Sequence, residues 1–291
     1  MAPGVGSPPR WNRTRGNRTL ASMTRAFRLA LSHLVGWLVD RRIPGPLRRL
    51  VYGTYCRLTG ADPSSAQLGL EHYPSLGAFF VRRLQPDARP LAPDPALLIS
   101  PCDGHLQASQ RIDEGTLLQA KGMAYPLAEL LGGASDGKAL EGGQAFTIYL
   151  SPRDYHRVHA PLAADLVRVS WLAGDRFSVA PGVLSRRPRV LARNERAVLE
   201  LSSELGPYYL VMVGALNVGR IRVVGVAPGT TPDAARTPHF ERGAELARFE
   251  MGSTVVLVFP AGLVDPLGLA QGAPLKLGEP LGRLPGRVAS R

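Results

Sequence analysis

Cysteine is scarce in this chain. Only Cys56 and Cys102 occur in 291 residues. Two thiols without metal-type spacing make neither a disulfide framework nor a zinc site, and both are expected as free thiols in a reducing compartment. Long apolar runs are also missing: none reaches the roughly 18–20 residues of a membrane-spanning helix. No secretory signal is expected, because Arg25, Arg28 and His33 interrupt the apolar stretch that follows the Arg-rich residues 10–18. There is no P-loop, no G-x-G-x-x-G, no G-x-S-x-G elbow, no H-E-x-x-H and no internal repeat. Acids are nearly absent from the first sixty residues, where eleven arginines face a single Asp40. That segment carries +10 of the net +12, and the remaining residues carry +2. A basic arm on a near-neutral body meets phosphate, on nucleic acid or on anionic lipid.

The chain is 45% hydrophobic, with 32 glycines and 26 prolines. This composition suits one sizeable domain with an appendage and argues against a helical bundle. Residues 1–22 offer Gly, Pro, Arg and Asn with little to bury, and are expected to be a disordered basic extension, with Met23 an alternative start. From there Met23, Ala26, Phe27, Ala30, Leu31, Leu34, Trp37 and Leu38 recur at helical spacing, while Arg25, Arg28, Ser32 and His33 lie largely off the stripe. Pro44-Gly45-Pro46 ends this helix. LRRLVYGTYCR (47–57) and SLGAFFVRRL (75–84) repeat the theme. Such stripes pack either on the domain's own core or in a membrane interface. Arginine on the polar faces without balancing acids favours the interface, and residues 23–95 are expected to be a membrane-associating helical region. Each Arg near an anionic leaflet contributes roughly 1 kcal/mol and each buried large apolar side chain roughly 1.5–3 kcal/mol. Nucleic acid is a poor fit, since no helix-turn-helix, zinc or RNP pattern is present.

Beyond residue 96 the texture changes. AFTIYL (145–150), AVLELS (197–202), YYLVMVG (208–214), RIRVVGV (220–226) and TVVLVF (254–259) are short, rich in Val, Ile, Leu and aromatics, and often punctuated by Gly, Pro, Asn or Asp. The expected class is therefore α+β: a β-rich, mostly antiparallel catalytic domain over 96–291, preceded by amphipathic helices.

Three stretches could carry chemistry: Ser100-Pro101-Cys102-Asp103-Gly104-His105, Tyr155-His156-Arg157-Val158-His159, and Gly252-Ser253-Thr254. Asp before Gly is ordinarily a turn, and so is Gly before Ser. Together, however, they supply an Asp that can orient an imidazole and an imidazole that can take a proton from a serine hydroxyl. His156-x-x-His159 with a carboxylate could bind a metal, but no metal is expected, since Arg157 and Val158 fill the gap where a Glu would stand. Ser253 follows a glycine and leads into a buried strand, which is not a hydrolase elbow. Gly252 permits unusual dihedrals, so its carbonyl could be held over the Ser253 hydroxyl and attacked by it. Spacing alone does not separate this from a turn.

The order and style of FFVRRLQPDARPL (79–91), SPCDGHLQ (100–107), KGMAYPLAELLG (121–132), DYHRVHAP (154–161), LARNERAVL (191–199), VGALNVGRI (213–221), ELARFEMGSTVVLVF (245–259) and LKLGEPLG (275–282) resemble the bacterial, pyruvoyl-dependent phosphatidylserine decarboxylases over about residues 23–285. Met251, where Leu is common, and Arg220, where a small residue is frequent, are the departures. The resemblance implies self-cleavage at Gly252–Ser253 into 1–252 and 253–291, with Ser253 converted to a pyruvoyl group. That group would form a Schiff base with phosphatidylserine and release carbon dioxide to leave phosphatidylethanolamine. It implies that Asp103 and His159 relay with Ser253 during cleavage and that His156 is a candidate proton donor to the product carbanion. Lys121 gains no role, and Cys102 remains an ordinary small residue. It further implies a heterodimer of the two fragments, a possible homodimer of these, and a peripheral place on the cytoplasmic face of the bacterial inner membrane. The competing readings are a membrane-associated serine acyl hydrolase using Ser253, His159 and Asp103, and a non-enzymatic membrane-binding β domain.

Overall fold

In the computed structural model, residues 24–119, 122–135, 137–215, 220–250 and 253–285 are described. The extension 1–22, Met23, Lys121 and Gly252 lie outside them. The described residues open with three α-helices, α1 (Arg25–Val39), α2 (Gly45–Thr59) and α3 (Leu76–Phe80). Thr24 accepts from the Phe27 N–H to cap α1, and Pro46 sits in the first turn of α2, where its missing N–H costs nothing. Gly60 ends α2 in a left-handed cap.

The rest is β-rich, as the composition of 96–291 leads one to expect. An eight-stranded sheet runs, in spatial order, His239–Phe240, Ala164–Leu172, Arg196–Ser203, Gly206–Gly214, Ser253–Phe259, Gln144–Leu150, Gly104–Arg111 and Pro274–Leu275. Every pairing within it is antiparallel. A three-stranded sheet of Ile221–Val223, Glu245–Phe249 and Arg157–His159 packs beside it.

The apolar run VVLVF is explained by two-sided burial. Val255, Leu257 and Phe259 join a core that also holds Phe146, Ile148, Leu150, Val158 and Phe249. Val256 and Val258 join the opposite core with Val198, Val211 and Leu191. A strand covered on both faces has no position for a polar side chain except where chemistry or a partner demands one. Ser253 and Thr254 stand at its head, both fully buried. Successive side chains alternate across a strand, so Ser253 shares the face of Val255 and looks toward the three-stranded sheet, while Thr254 looks the other way.

On the first helix the polar face differs from the expectation. Arg28 and Ser32, read as polar-face residues, are buried, whereas Phe27, Leu34, Trp37 and Leu38 are exposed. The reason is a buried ion pair: Arg28 meets Asp175 through both nitrogens of its fork and lies 3.9 Å from the centroid of the Phe177 ring. On α2, Leu47, Leu50, Val51 and Leu58 also face outward, while Tyr52 packs with Tyr73 and Phe79. The third predicted stretch is helical only over Leu76–Phe80. Among the described residues, no helix is long and apolar enough to cross a membrane.

Candidate active site

The segment before Ser253 links the two sheets. The Phe249 N–H donates to the His156 carbonyl at 3.0 Å, ending the smaller sheet's strand. Four residues later Ser253 lies opposite both Leu150 and Gly214 in the large sheet. Ser151 follows Leu150 and opens a turn, 151–154, that leads directly to His156. The fold thus links Ser253, through Leu150 and the turn 151–154, to His156, with His159 three residues further on in the smaller sheet. The Ser253 hydroxyl is fully buried and makes no hydrogen bond among the described residues. Buried hydroxyls are nearly always paired, so an orphan at a strand head calls for an explanation.

His156 is enclosed. Its Nε2 donates to the Ser151 carbonyl at 3.0 Å, and its ring stacks on Phe80 with centroids 3.9 Å apart. That bond fixes the proton of the neutral ring on Nε2 and leaves Nδ1, which has no partner, as a free lone pair. Burial pushes the imidazole pKa down to about 3, so the ring is neutral at physiological pH.

His159 donates from Nδ1 to the Gly243 carbonyl at 2.8 Å, and its Nε2 accepts from the Tyr155 hydroxyl at 3.1 Å. Burial holds its pKa below the ordinary histidine value. Its backbone N–H donates to the Pro101 carbonyl at 2.8 Å, which ties its strand to the loop carrying Asp103.

Asp103 is buried. Burial alone would raise its pKa, but Arg89, the Leu277 N–H and Lys276 outweigh that and hold the carboxyl below its usual value. Arg89 approaches from Nε at 2.9 Å and from Nη2 at 2.6 Å, the Leu277 N–H donates at 2.9 Å, and Lys276 Nζ stands 3.5 Å away. Among the described residues Asp103 makes no hydrogen bond to His159, and His159 makes none to Ser253. Asp103 acts on both histidines through its charge, which favours their protonated forms. Cys102 is a buried free thiol.

Sequence reasoning assigned no role to Arg89, Tyr155, Phe80 or Arg82, although all four fall inside the motifs quoted above. Their roles depend on contacts across the fold, which the motifs do not encode. Among the described residues, no three His, Cys, Asp or Glu side chains gather as metal ligands.

A buried, unpartnered serine at the head of a central strand defines a class in which the backbone at that serine is a candidate reactant. The comparisons make the class specific. The family model described as phosphatidylserine decarboxylase matches residues 76–283. A phosphatidylserine decarboxylase proenzyme of Pseudomonas paraeruginosa is 40% identical over 263 residues, covering 86% of this chain and 91% of the relative. The proenzyme of Nitrosococcus oceani is 38% identical over 281 residues, covering 92% and 88%, and that of Brevibacillus brevis 40% over 247 residues, covering 81% and 88%. The chain belongs to the phosphatidylserine decarboxylase family, whose members are pyruvoyl-dependent decarboxylases. Nothing in these comparisons supports the serine hydrolase reading.

Proposed function

We propose that this chain is a proenzyme that cleaves itself between Gly252 and Ser253 and then decarboxylates phosphatidylserine. The observation that carries the reading is the Ser253 hydroxyl, buried and without a partner at the head of a central strand. In cleavage the Ser253 oxygen attacks the Gly252 carbonyl, and an ester replaces the amide as the C–N bond breaks. Loss of the Ser253 Cα proton expels the Gly252 carboxylate and leaves a dehydroalanine. Water then releases ammonia and leaves the pyruvoyl group. His159 is the base for the hydroxyl proton, once Tyr155 gives up its hold on Nε2. Asp103 stabilises the imidazolium through its field rather than by contact.

The residues present fit the group. The first position of a strand paired on both sides fixes its place, and the surrounding burial excludes water. Formed there, the pyruvoyl carbonyl would take the electrons left when carbon dioxide departs from the carbon bearing the substrate's amine. The serine headgroup reaches the enzyme as an ammonium and must lose a proton before it can react. The free Nδ1 of His156 takes that proton and later returns it to the product carbon. This accounts for a candidate proton donor that begins the cycle neutral.

Attachment to the bilayer is peripheral in this reading. The outward Phe27, Leu34, Trp37 and Leu38 of α1, with Leu47, Leu50 and Leu58 of α2, form an apolar surface with basic residues around it. A substrate that never leaves the leaflet requires such a surface, which in a bacterium faces the cytoplasmic side of the inner membrane. The test is the intact mass of the purified protein. Two fragments divided before Ser253, with 253–291 lighter by one ammonia than a serine terminus, are expected from the native chain, and one uncleaved chain from Ser253→Ala. A single native chain with full activity would refute the reading.

A further inference from the structure

Arg82 is a charged side chain for which the cleavage chemistry has no use. It is only 4% exposed, yet its Nε and Nη1 donate to nothing. Among the described residues its hydrogen bond runs from Nη2 to the Arg153 carbonyl at 3.3 Å, and it makes no ion pair. A buried guanidinium without a counter-charge is costly, and folds seldom keep one unless an anion comes to it. Burial lowers its pKa, with the nearby Tyr55, Tyr73 and Asp103 opposing, but a guanidinium remains charged at neutral pH.

Its position is specific. Phe80, two residues earlier, stacks on His156. The turn 151–154 accepts from Arg82 at Arg153 and from His156 at Ser151, and it begins one residue after the partner of Ser253. On the other side, the Arg82 guanidinium lies 5.0 Å from the centroid of the Phe79 ring. Phe79 packs on Tyr52 and Tyr55 of α2, whose outer face is apolar. Contacts therefore run from the helix with the apolar surface through Phe79 to Arg82, and from Arg82 through the turn 151–154 to His156 and to the strand that pairs with Ser253. A glycerophospholipid entering by its head presents glycerol, phosphodiester and serine in the same order.

Resting on the proposed decarboxylase reading, we infer that Arg82 is the positioning residue for the substrate's phosphodiester, holding it by the unused Nε and Nη1 donors. The serine carboxylate is the poorer partner. A cation there would stabilise the charge that must depart as neutral carbon dioxide, and so favour the ground state over the transition state. A guanidinium on the phosphate anchors the lipid through a group that does not react, which orients the amine toward Ser253.

The test compares dihexanoyl phosphatidylserine in detergent micelles with a matched serine ether whose phosphodiester is replaced by a neutral linker. The native enzyme is expected to favour the phosphodiester by about 10- to 100-fold in kcat/KM. In Arg82→Met, self-cleavage judged by mass is expected to proceed, KM for phosphatidylserine to rise by that factor with kcat changing less, and the preference over the ether to vanish. If the methionine variant does not mature, Arg82→Gln is read the same way. A native enzyme that turns over both lipids equally would overturn the assignment without any variant. So would an Arg82 variant that loses both substrates alike, which is the mark of a structural role. Failure of the underlying reading looks different: the native chain would stay uncleaved and release no carbon dioxide from either lipid, which removes the ground for the assignment as well.

Discussion

The ring of Phe80 lies nearly parallel to the imidazole of His156, 19° apart in plane and 3.9 Å apart in centroid. One short helix thereby seals one face of a histidine that stands at the entrance to the smaller sheet's strand Arg157–His159. Removing water is what forces the imidazole to stay neutral, and this has a measurable cost in acid. A histidine near 6.5 in the unfolded chain and about 3 in the fold binds its proton more readily when unfolded. Its contribution is therefore fully present above about pH 6.5 and is lost as pH falls toward 3, at about 1.4 kcal/mol per pH unit. Denaturant melts of Ser253→Ala between pH 7 and 4 are expected to show this slope, and His156→Asn in the same background to flatten it. A slope identical in both would mean that His156 is not buried as a neutral ring.

The Arg89–Asp103 pair leads to a second expectation. With Arg89 in place, Asp103 is ionised at neutral pH. Arg89→Met leaves burial as the dominant influence, and the carboxyl pKa rises. If the Asp103 charge assists His159, the acid limb of the self-cleavage rate shifts to higher pH in this variant. Stability is expected to fall by about 3 kcal/mol, because one partner of a buried pair is lost. Cleavage followed by mass against pH decides it: an unshifted acid limb would remove Asp103 from maturation.

Much of this arrangement was legible in the residues, and the parts that were not share a physical cause. The buried strand Ser253–Phe259 announced itself because both its faces are core. Ala164–Leu172 did not, because a bulge between Leu166 and Arg168 puts Val167 and Arg168 both outward and breaks the alternation. Asp103-Gly104 suggested a turn, yet Gly104 begins a strand. A Cβ there would stand 2.4 Å from the Tyr149 carbonyl, so the glycine serves close strand approach. Asp103, His159 and Ser253 are proposed as a relay on a family resemblance. That resemblance does not give their hydrogen bonds, since Arg89, Gly243 and Tyr155 take the places a simple relay would give to one another. On α1 the apolar stripe was legible, but the burial of Arg28 from its polar face was not, because Asp175, far along the chain, claims it.

The direction of that stripe sets a third expectation. Deleting residues 1–60 would remove buried Tyr52 and the Tyr55 bond to the Pro152 carbonyl along with the surface, so it confuses folding with attachment. Leu50 and Leu58, 68% and 81% exposed, can be changed without disturbing either. Leu50→Glu with Leu58→Glu is expected to leave self-cleavage intact and the melting free energy within about 0.5 kcal/mol. Sedimentation with vesicles containing phosphatidylserine, and turnover on them, are expected to fall at least tenfold. Undiminished binding to the vesicles would place the membrane contact elsewhere.

Cleavage before Ser253 would cut the link between two sheets and leave both sheets whole. The strand Ser253–Phe259 pairs along its length with Gln144–Leu150, and through Ser253–Val258 with Gly206–Gly214, all of which belong to the other fragment. The shorter fragment also supplies Leu275, Leu277 and Leu281 to the buried interior, and its Leu277 N–H holds Asp103. A central strand flanked on both sides cannot leave without exposing two cores at once, so the fragments are expected to stay together. The mature protein is expected to elute as one species carrying both, and to melt within a few degrees of uncleaved Ser253→Ala. Elution of 253–291 by itself under native conditions would contradict this account. It would mean that the strand is held by the covalent chain rather than by its neighbours, and that the site could not survive its own formation.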